Sequence, residues 1–171
     1  MRQQPQRRFE RGFTILELLV VLLIIGIVVS MASLSVGGNE ARALRDEAQR
    51  LTSLVDLAIQ ESVLNGRELG LELNDVSYQF LVYDGTNWLP ISGIDEFRPR
   101  ELPPGIELEV EIEGQAAFES LSGETEASQI WIMSSGEVSP FIITLKLKDG
   151  PFYRLNGDMM GGLKLEGPLE S

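Results

Sequence analysis

The chain begins with an apolar segment that is followed by more polar, patterned sequence. Residues 18–29 are apolar without interruption, and the wider segment from Phe13 to about Val36 contains one charged residue, Glu17. The 24 residues from 13 to 36 would form a helix about 36 Å long, enough to cross the roughly 30 Å hydrocarbon core of a bilayer. The pattern therefore predicts a transmembrane helix over residues 13–36.

A second helical pattern follows over residues 37–66. Charged residues, Glu47 among them, fill positions other than those of the apolar repeat, and Asn65–Gly66 is typical of a helix end. Gly37–Gly38 is either a flexible joint or a point where the helix bends or melts during assembly, and both interpretations stay open. Small or apolar residues recur every three or four positions, which predicts one buried face: Leu44, Ala48, Leu51, Val55, Ala58 or Ile59, and Ser62 or Val63.

Residues 67–171 show the alternation and turn residues of antiparallel strands. Residues 106–113 alternate strictly between apolar residues and glutamate, which predicts a strand with one wet face. The predicted fold class is α+β, with a long N-terminal helix packed on antiparallel β-sheets. The stretches 85–105 and 123–126 are expected to be exposed loops. Trp88 and Trp131 are expected to belong to the core.

Charge divides the chain into a basic beginning and an acidic remainder. Four arginines and one glutamate precede residue 12, whereas 24 acidic and 10 basic residues follow from residue 37 onward. An acidic domain argues against nucleic-acid binding, which needs a basic face. The basic start is expected to stay in the cytoplasm under the positive-inside rule, which places the later domain across the inner membrane.

The composition also limits the chemistry that the chain can perform. It contains no cysteine and no histidine, which removes thiol nucleophiles, the commonest general base and the commonest metal ligand. No catalytic residue, metal ligand or cofactor is assigned. A membrane-tethered enzyme remains only a remote alternative.

The residues around the start of the apolar segment form a motif. Arg11–Gly12–Phe13–Thr14–Ile15–Leu16–Glu17 leads directly into the apolar run, and it resembles the processing site of type IV pilins and type II secretion pseudopilins. The resemblance implies that a prepilin peptidase cuts between Gly12 and Phe13 and methylates the new amine of Phe13, so that residues 1–12 are a removed leader. It also implies that Glu17 acts in assembly, where a neighbouring subunit's amine is a suitable partner for a carboxylate in an apolar setting.

The later half supports a narrower resemblance. Residues 130–136, 141–145 and 153–157 are similar in order and spacing to the C-terminal region of the minor pseudopilin H of type II secretion (GspH/FimT family). This implies a single-pass inner-membrane protein with a periplasmic domain at 67–171. Its partners would be prepilin peptidase, major and minor pseudopilins, the inner-membrane assembly platform and membrane lipid. A FimT-like minor type IV pilin that primes pilus assembly is the alternative.

Two acidic groups remain as weaker candidate sites. Glu107, Glu109, Glu111 and Glu113 share one strand face, and four like charges in a row are more typical of a solvated face than of a metal site. Asp84, Asp95 and Glu96 could hold calcium, although the ligand pattern of calcium-binding pseudopilins is not visible in the sequence.

Overall fold

The computed structural model describes residues 14–113, 128–148 and 150–170, with the backbone alone for 29–38 and 128. The chain divides into two compact units, Met1–Gly38 and Asn39–Ser171. The helix α1 runs from Ile15 to Asn65, so its helical hydrogen bonding continues through Gly37 and Gly38. The second unit contains the C-terminal part of α1 and all the strands.

Within the described residues, nine strands form two antiparallel sheets. Sheet A has the order β3-β2-β1-β6, with β4 paired to β2, and sheet B has the order β5-β7-β8-β9. The strands of sheet A are β1 Leu69–Asn74, β2 Ser77–Tyr83, β3 Trp88–Pro90, β4 Arg100–Glu101 and β6 Ser128–Ile132. The strands of sheet B are β5 Ile106–Ile112, β7 Phe141–Leu147, β8 Phe152–Gly157 and β9 Leu163–Leu169.

A single hydrophobic cluster joins the C-terminal part of α1 to both sheets. The helix contributes a buried stripe that includes Leu44, Leu51 and Val55, while Leu71 and Ile143 lie at the centres of the two sheets. Alternate residues of each strand enter this cluster, as the period of two requires. The predicted buried face of the helix is confirmed, with Ala58 and Ser62 buried and Val63 half exposed.

The stretch 85–105 is more ordered than the sequence pattern indicates. It contains β3, a short 3-10 helix at Asp95–Phe97 and β4. Phe97 is buried, and its ring centroid lies 4.9 Å from that of Phe80. The prediction of a wholly exposed loop is therefore wrong, because one aromatic anchor fastens this segment to the core. The other predicted loop, 123–126, lies outside the described residues.

Candidate functional site at the start of the helix

The first turn of α1 is capped by a side chain. Thr14 precedes the helix, and its Oγ1 accepts a hydrogen bond from the backbone N–H of Glu17 at 3.2 Å. The Thr14 carbonyl accepts from the N–H groups of Glu17 and Leu18 at 3.1 and 3.3 Å. Threonine at the cap and glutamate three residues later have the spacing of a capping box. Glu17, the predicted assembly residue, thus lies in the first turn of the helix, where backbone N–H groups favour negative charge.

Glu17 is exposed, and the processing residues precede it. Gly12 and Phe13 lie outside the described residues, so the cleavage and methylation assignments stay predictions. The side chain of Glu17 is surrounded along the chain by apolar neighbours that are also exposed. The one carboxylate of this stretch is therefore presented on an apolar surface.

That apolar surface covers every side of the helix between Ile15 and Val28. The exposed fractions range from 41% at Val21 to 80% at Ile15. Large apolar patches on a protein surface mark sites of contact with other proteins or membranes. Within the residues that the structure describes, no helical stretch is both long and apolar enough to count as a membrane span.

The second unit contains a buried polar contact that the sequence analysis missed. Glu47 is 2% exposed; its Oε1 accepts a hydrogen bond from the Tyr78 hydroxyl at 2.7 Å, and its Oε2 pairs with Arg50. Burial, followed by the hydrogen bond to Glu47, raises the pKa of the Tyr78 hydroxyl. The prediction that Glu47 lies outside the buried face is wrong. It follows Leu44 by three residues and precedes Leu51 by four, so the helical period itself places it on the buried face.

Both tryptophans lie on the outer face of sheet A, not in the core. Trp131 alternates with the buried Ile130 and Ile132, and its ring centroid lies 5.9 Å from that of Trp88. Trp88 also stacks 5.2 Å from Tyr83. A Cβ on Gly70 of β1 would lie 3.1 Å from the Trp88 ring. The absence of a side chain at Gly70 therefore allows the indole of Trp88 to lie over β1. The core assignment is wrong, since the period of two turns Trp131 away from its buried neighbours.

The acidic candidates are separate surface features. Glu107, Glu109 and Glu111 are exposed on β5, and Lys146 of β7 pairs with the first two. This confirms the solvated strand face. The hydrogen bond that Lys146 donates to the Glu109 carboxylate raises the pKa of the Lys146 ammonium. Among the described residues, no group of three or more potential metal-binding side chains comes together.

The three residues of the predicted calcium group, Asp84, Asp95 and Glu96, lie in two separate elements. Asp84 accepts the N–H groups of Thr86 and Asn87 at 2.8 and 2.7 Å in the β2–β3 turn. The hydrogen bond from Asn87, and to a smaller extent that from Thr86, lowers the pKa of the Asp84 carboxyl. Asp95 and Glu96 lie instead in the first turn of the 3-10 helix. The Asp84 side chain thus has a local role in shaping a hairpin turn.

An exposed apolar helix that bears one acid at its start, continuing into a helix packed on antiparallel sheets, defines a pilin-like subunit. A family model for the prokaryotic N-terminal methylation motif matches residues 7–33, and one for the type II transport protein GspH matches residues 47–161. The chain belongs to the GspH family. Both resemblances found in the sequence are thereby confirmed.

Relatives and solved structures agree with this placement. The chain is 40% identical to type II secretion system protein H of Pseudomonas aeruginosa over 81% of this chain and 84% of the relative. It is 31% identical to the protein of the same name from Aeromonas hydrophila, over 94% and 95%. The minor pseudopilin EpsH of Vibrio cholerae superposes with a TM-score of 0.60 at 22% identity, over 74% of this chain and 98% of EpsH. The predicted α+β fold is confirmed.

Proposed function

We propose that the chain is a minor pseudopilin, a non-catalytic structural subunit of the type II secretion pseudopilus that helps to export folded proteins across the outer membrane. The observation that carries this proposal is the GspH match over residues 47–161, which covers the whole packed domain except its ends. The exposed apolar start of α1 supports it, because such a surface needs either lipid or other apolar helices around it.

The proposed organisation has four parts. Residues 1–12 are a basic leader that prepilin peptidase removes after Gly12, and the amine of Phe13 is then methylated. Residues 13–36 form the anchor in the bacterial inner membrane, 37–66 the amphipathic half of the helix, and 67–171 the periplasmic domain. The assembly platform and the other pseudopilins are the proposed partners of the anchored subunit.

Glu17 has a defined task in this proposal. In the isolated subunit its carboxylate is stabilised by the first turn of the helix, an effect of about 0.3–1 kcal/mol. The amine of Phe13 on a neighbouring subunit offers a larger gain, since two unit charges 4 Å apart attract by about 4 kcal/mol at an effective dielectric constant of 20. Docking therefore exchanges a weak local contact for a stronger one between subunits. The pair also fixes the axial register of the two helices.

The proposal is tested with Glu17→Gln in the full-length chain. Glu17→Gln should be cleaved and methylated normally, and it should be recovered poorly with the other pseudopilins after cross-linking; Glu17→Asp should be intermediate. Glu40→Gln is the matched control, because Glu40 is an exposed acid of the same helix that lies beyond the apolar segment. Normal recovery of Glu17→Gln would refute the pairing role. Unimpaired secretion in a strain without the chain would refute the wider function.

A further inference from the structure

Three segments of the second unit meet around the C-terminal end of α1 and expose apolar side chains there. Val63 and Leu64 come from the helix, Met133 from the end of β6, and Met159 and Met160 from the β8–β9 hairpin. Their exposed fractions are 50%, 80%, 39%, 59% and 85%, in that order. These five residues are called the end patch below.

Direct contacts hold the three segments together. The Ser62 hydroxyl donates to the carbonyl of Met133 at 3.1 Å, and the backbone N–H of Val138 donates to the carbonyl of Met159 at 3.2 Å. A Cβ on Gly136 would lie 3.4 Å from Val63, and one on Gly161 would lie 3.5 Å from Ile59. The end patch is therefore carried by a helix end and two turns that contact one another.

The methionines are presented by a well-formed turn. One oxygen of Asp158 accepts the N–H groups of Met160 and Gly162 at 2.8 and 2.9 Å. Backbone hydrogen bonds of 3.0 Å also join Asp158 to Gly161 and Gly162. A partner would consequently meet a turn whose backbone is already held in position, which lowers the ordering cost of binding. Methionine adds a polarizable, adaptable contact surface.

The charges around the end patch indicate what can cover it. Glu61, Glu137 and Asp158 lie within the same three segments, and Arg67 follows the helix. The sequence from residue 37 onward is also strongly acidic, with 24 acidic and 10 basic residues. An anionic membrane surface or a second copy of this acidic domain would meet like charge, which is unfavourable. A protein surface with apolar side chains bordered by lysine or arginine complements both properties.

We infer that the end patch is a docking surface for the globular domain of a different pseudopilin, whose contact area is apolar at its centre and basic at its rim. This inference rests on the proposed function, since it adds a second contact between subunits that is separate from the one at Glu17. Apolar contact supplies affinity at the centre of such an interface, while Glu137 and Asp158 favour a basic partner over an acidic one.

The experiment places a photo-activatable cross-linking residue at position 160 of the full-length chain in secreting cells. Position 76 serves as the matched control, because Val76 is an exposed apolar residue, 61% accessible, in the β1–β2 turn. We expect position 160 to cross-link a pseudopilin, identified by mass, at a yield roughly tenfold above that of position 76. Cross-linking to lipid, to a second copy of the chain or equally at both positions would overturn the inference.

Two variants then test the chemistry of the surface, with the cross-linker at Leu64. Combined Met159→Gln and Met160→Gln, at exposed positions where polar side chains leave the core intact, should reduce the pseudopilin product roughly tenfold. Glu137→Lys should also reduce it, because it places a positive charge against a basic rim. Unchanged yield in either variant would overturn the inference. Continued recovery of these variants with other pseudopilins through the N-terminal helix would show that the proposed function survives that failure.

Discussion

The contact between Glu47 and Tyr78 allows a sharp test of the packing between helix and sheet. Tyr78→Phe removes only a hydroxyl, and it leaves the 2% exposed Glu47 without the 2.7 Å hydrogen bond to its Oε1. Hydrogen bonds to charged groups contribute about 1.5–3 kcal/mol, and a buried acceptor left unpaired costs its desolvation energy. Because Arg50 still pairs with the other oxygen, we expect Tyr78→Phe to lower the free energy of unfolding by roughly 1.5–3 kcal/mol.

The double variant separates this cause from a general loss of packing. Combining Glu47→Leu with Tyr78→Phe removes donor and acceptor together, and such replacements are often nearly neutral. Arg50 then loses its partner, but its side chain is 45% exposed and can be solvated. We expect the double variant to lie within about 1 kcal/mol of the unmodified chain, which gives a large coupling energy in a double-mutant cycle.

The same contact predicts a change of stability at high pH. The folded state raises the pKa of Tyr78 above its ordinary value of 10.0, so the neutral hydroxyl is favoured in the folded state. Below pH 10 the tyrosine is neutral in both states and this stabilisation is complete. Above pH 10 the unfolded chain loses the proton first, so stability falls by up to about 1.4 kcal/mol per pH unit. Tyr78→Phe should abolish this part of the fall.

Tryptophan fluorescence provides the assay. Both tryptophans of the chain, Trp88 and Trp131, lie on sheet A beside β2 or β1, so urea titration of the purified protein in detergent reports on this sheet. An unfolding free energy of Tyr78→Phe within 0.5 kcal/mol of the parent chain, roughly the effect of an ordinary surface change, would refute the reasoning. A double variant less stable than both single variants would refute it as well.

Three further outcomes follow from other parts of the molecule. Gly12→Val should leave residues 1–12 attached, which an intact-mass measurement would reveal; a mature chain starting near Ala32 would instead indicate an ordinary signal peptide. A fragment starting at Asn39 should fold without detergent, because α1 from Leu44 onward keeps its packing on both sheets; aggregation with no helical circular dichroism would contradict this. Gly157→Ala should destabilise the domain by about 2 kcal/mol or more, since its Cβ would lie 2.1 Å from the Phe141 ring. Adding Phe141→Leu to the Gly157→Ala variant should restore part of the lost stability in thermal melting. Equal stability losses in the single and the double variant would disprove the clash.

The sequence allowed the fold class and the helix face to be predicted because both depend on periodicity. Leu44, Leu51 and Val55 recur at the helical period, and burial of that face follows from it. Residue type alone indicates the wrong side for two residues. Glu47 is charged yet buried, and Trp131 is aromatic yet lies on the outer face of sheet A, as the periodicity indicates in each case.

Other features depend on contacts between distant parts of the chain, which no local pattern contains. Tyr78 is 31 residues from Glu47, and neither residue type indicates the other as its partner. The end patch likewise joins residues near 63, 133 and 160, which become neighbours only through the sheet topology. The predicted site residues differ in this respect. Gly12, Phe13 and Glu17 form a local motif that can be recognised without a fold, whereas their action requires a second subunit.

The two outer strands of sheet B bear on how a fibre of such subunits could be taken apart. Within the described residues, β5 carries three exposed glutamates and β9 contains Pro168. Charged side chains and proline discourage the backbone pairing through which neighbouring sheets merge. Subunits crowded along a filament would then adhere through side chains and helices, with no continuous hydrogen-bonded ribbon to lock them. Two such subunits could then separate without breaking backbone hydrogen bonds between their sheets.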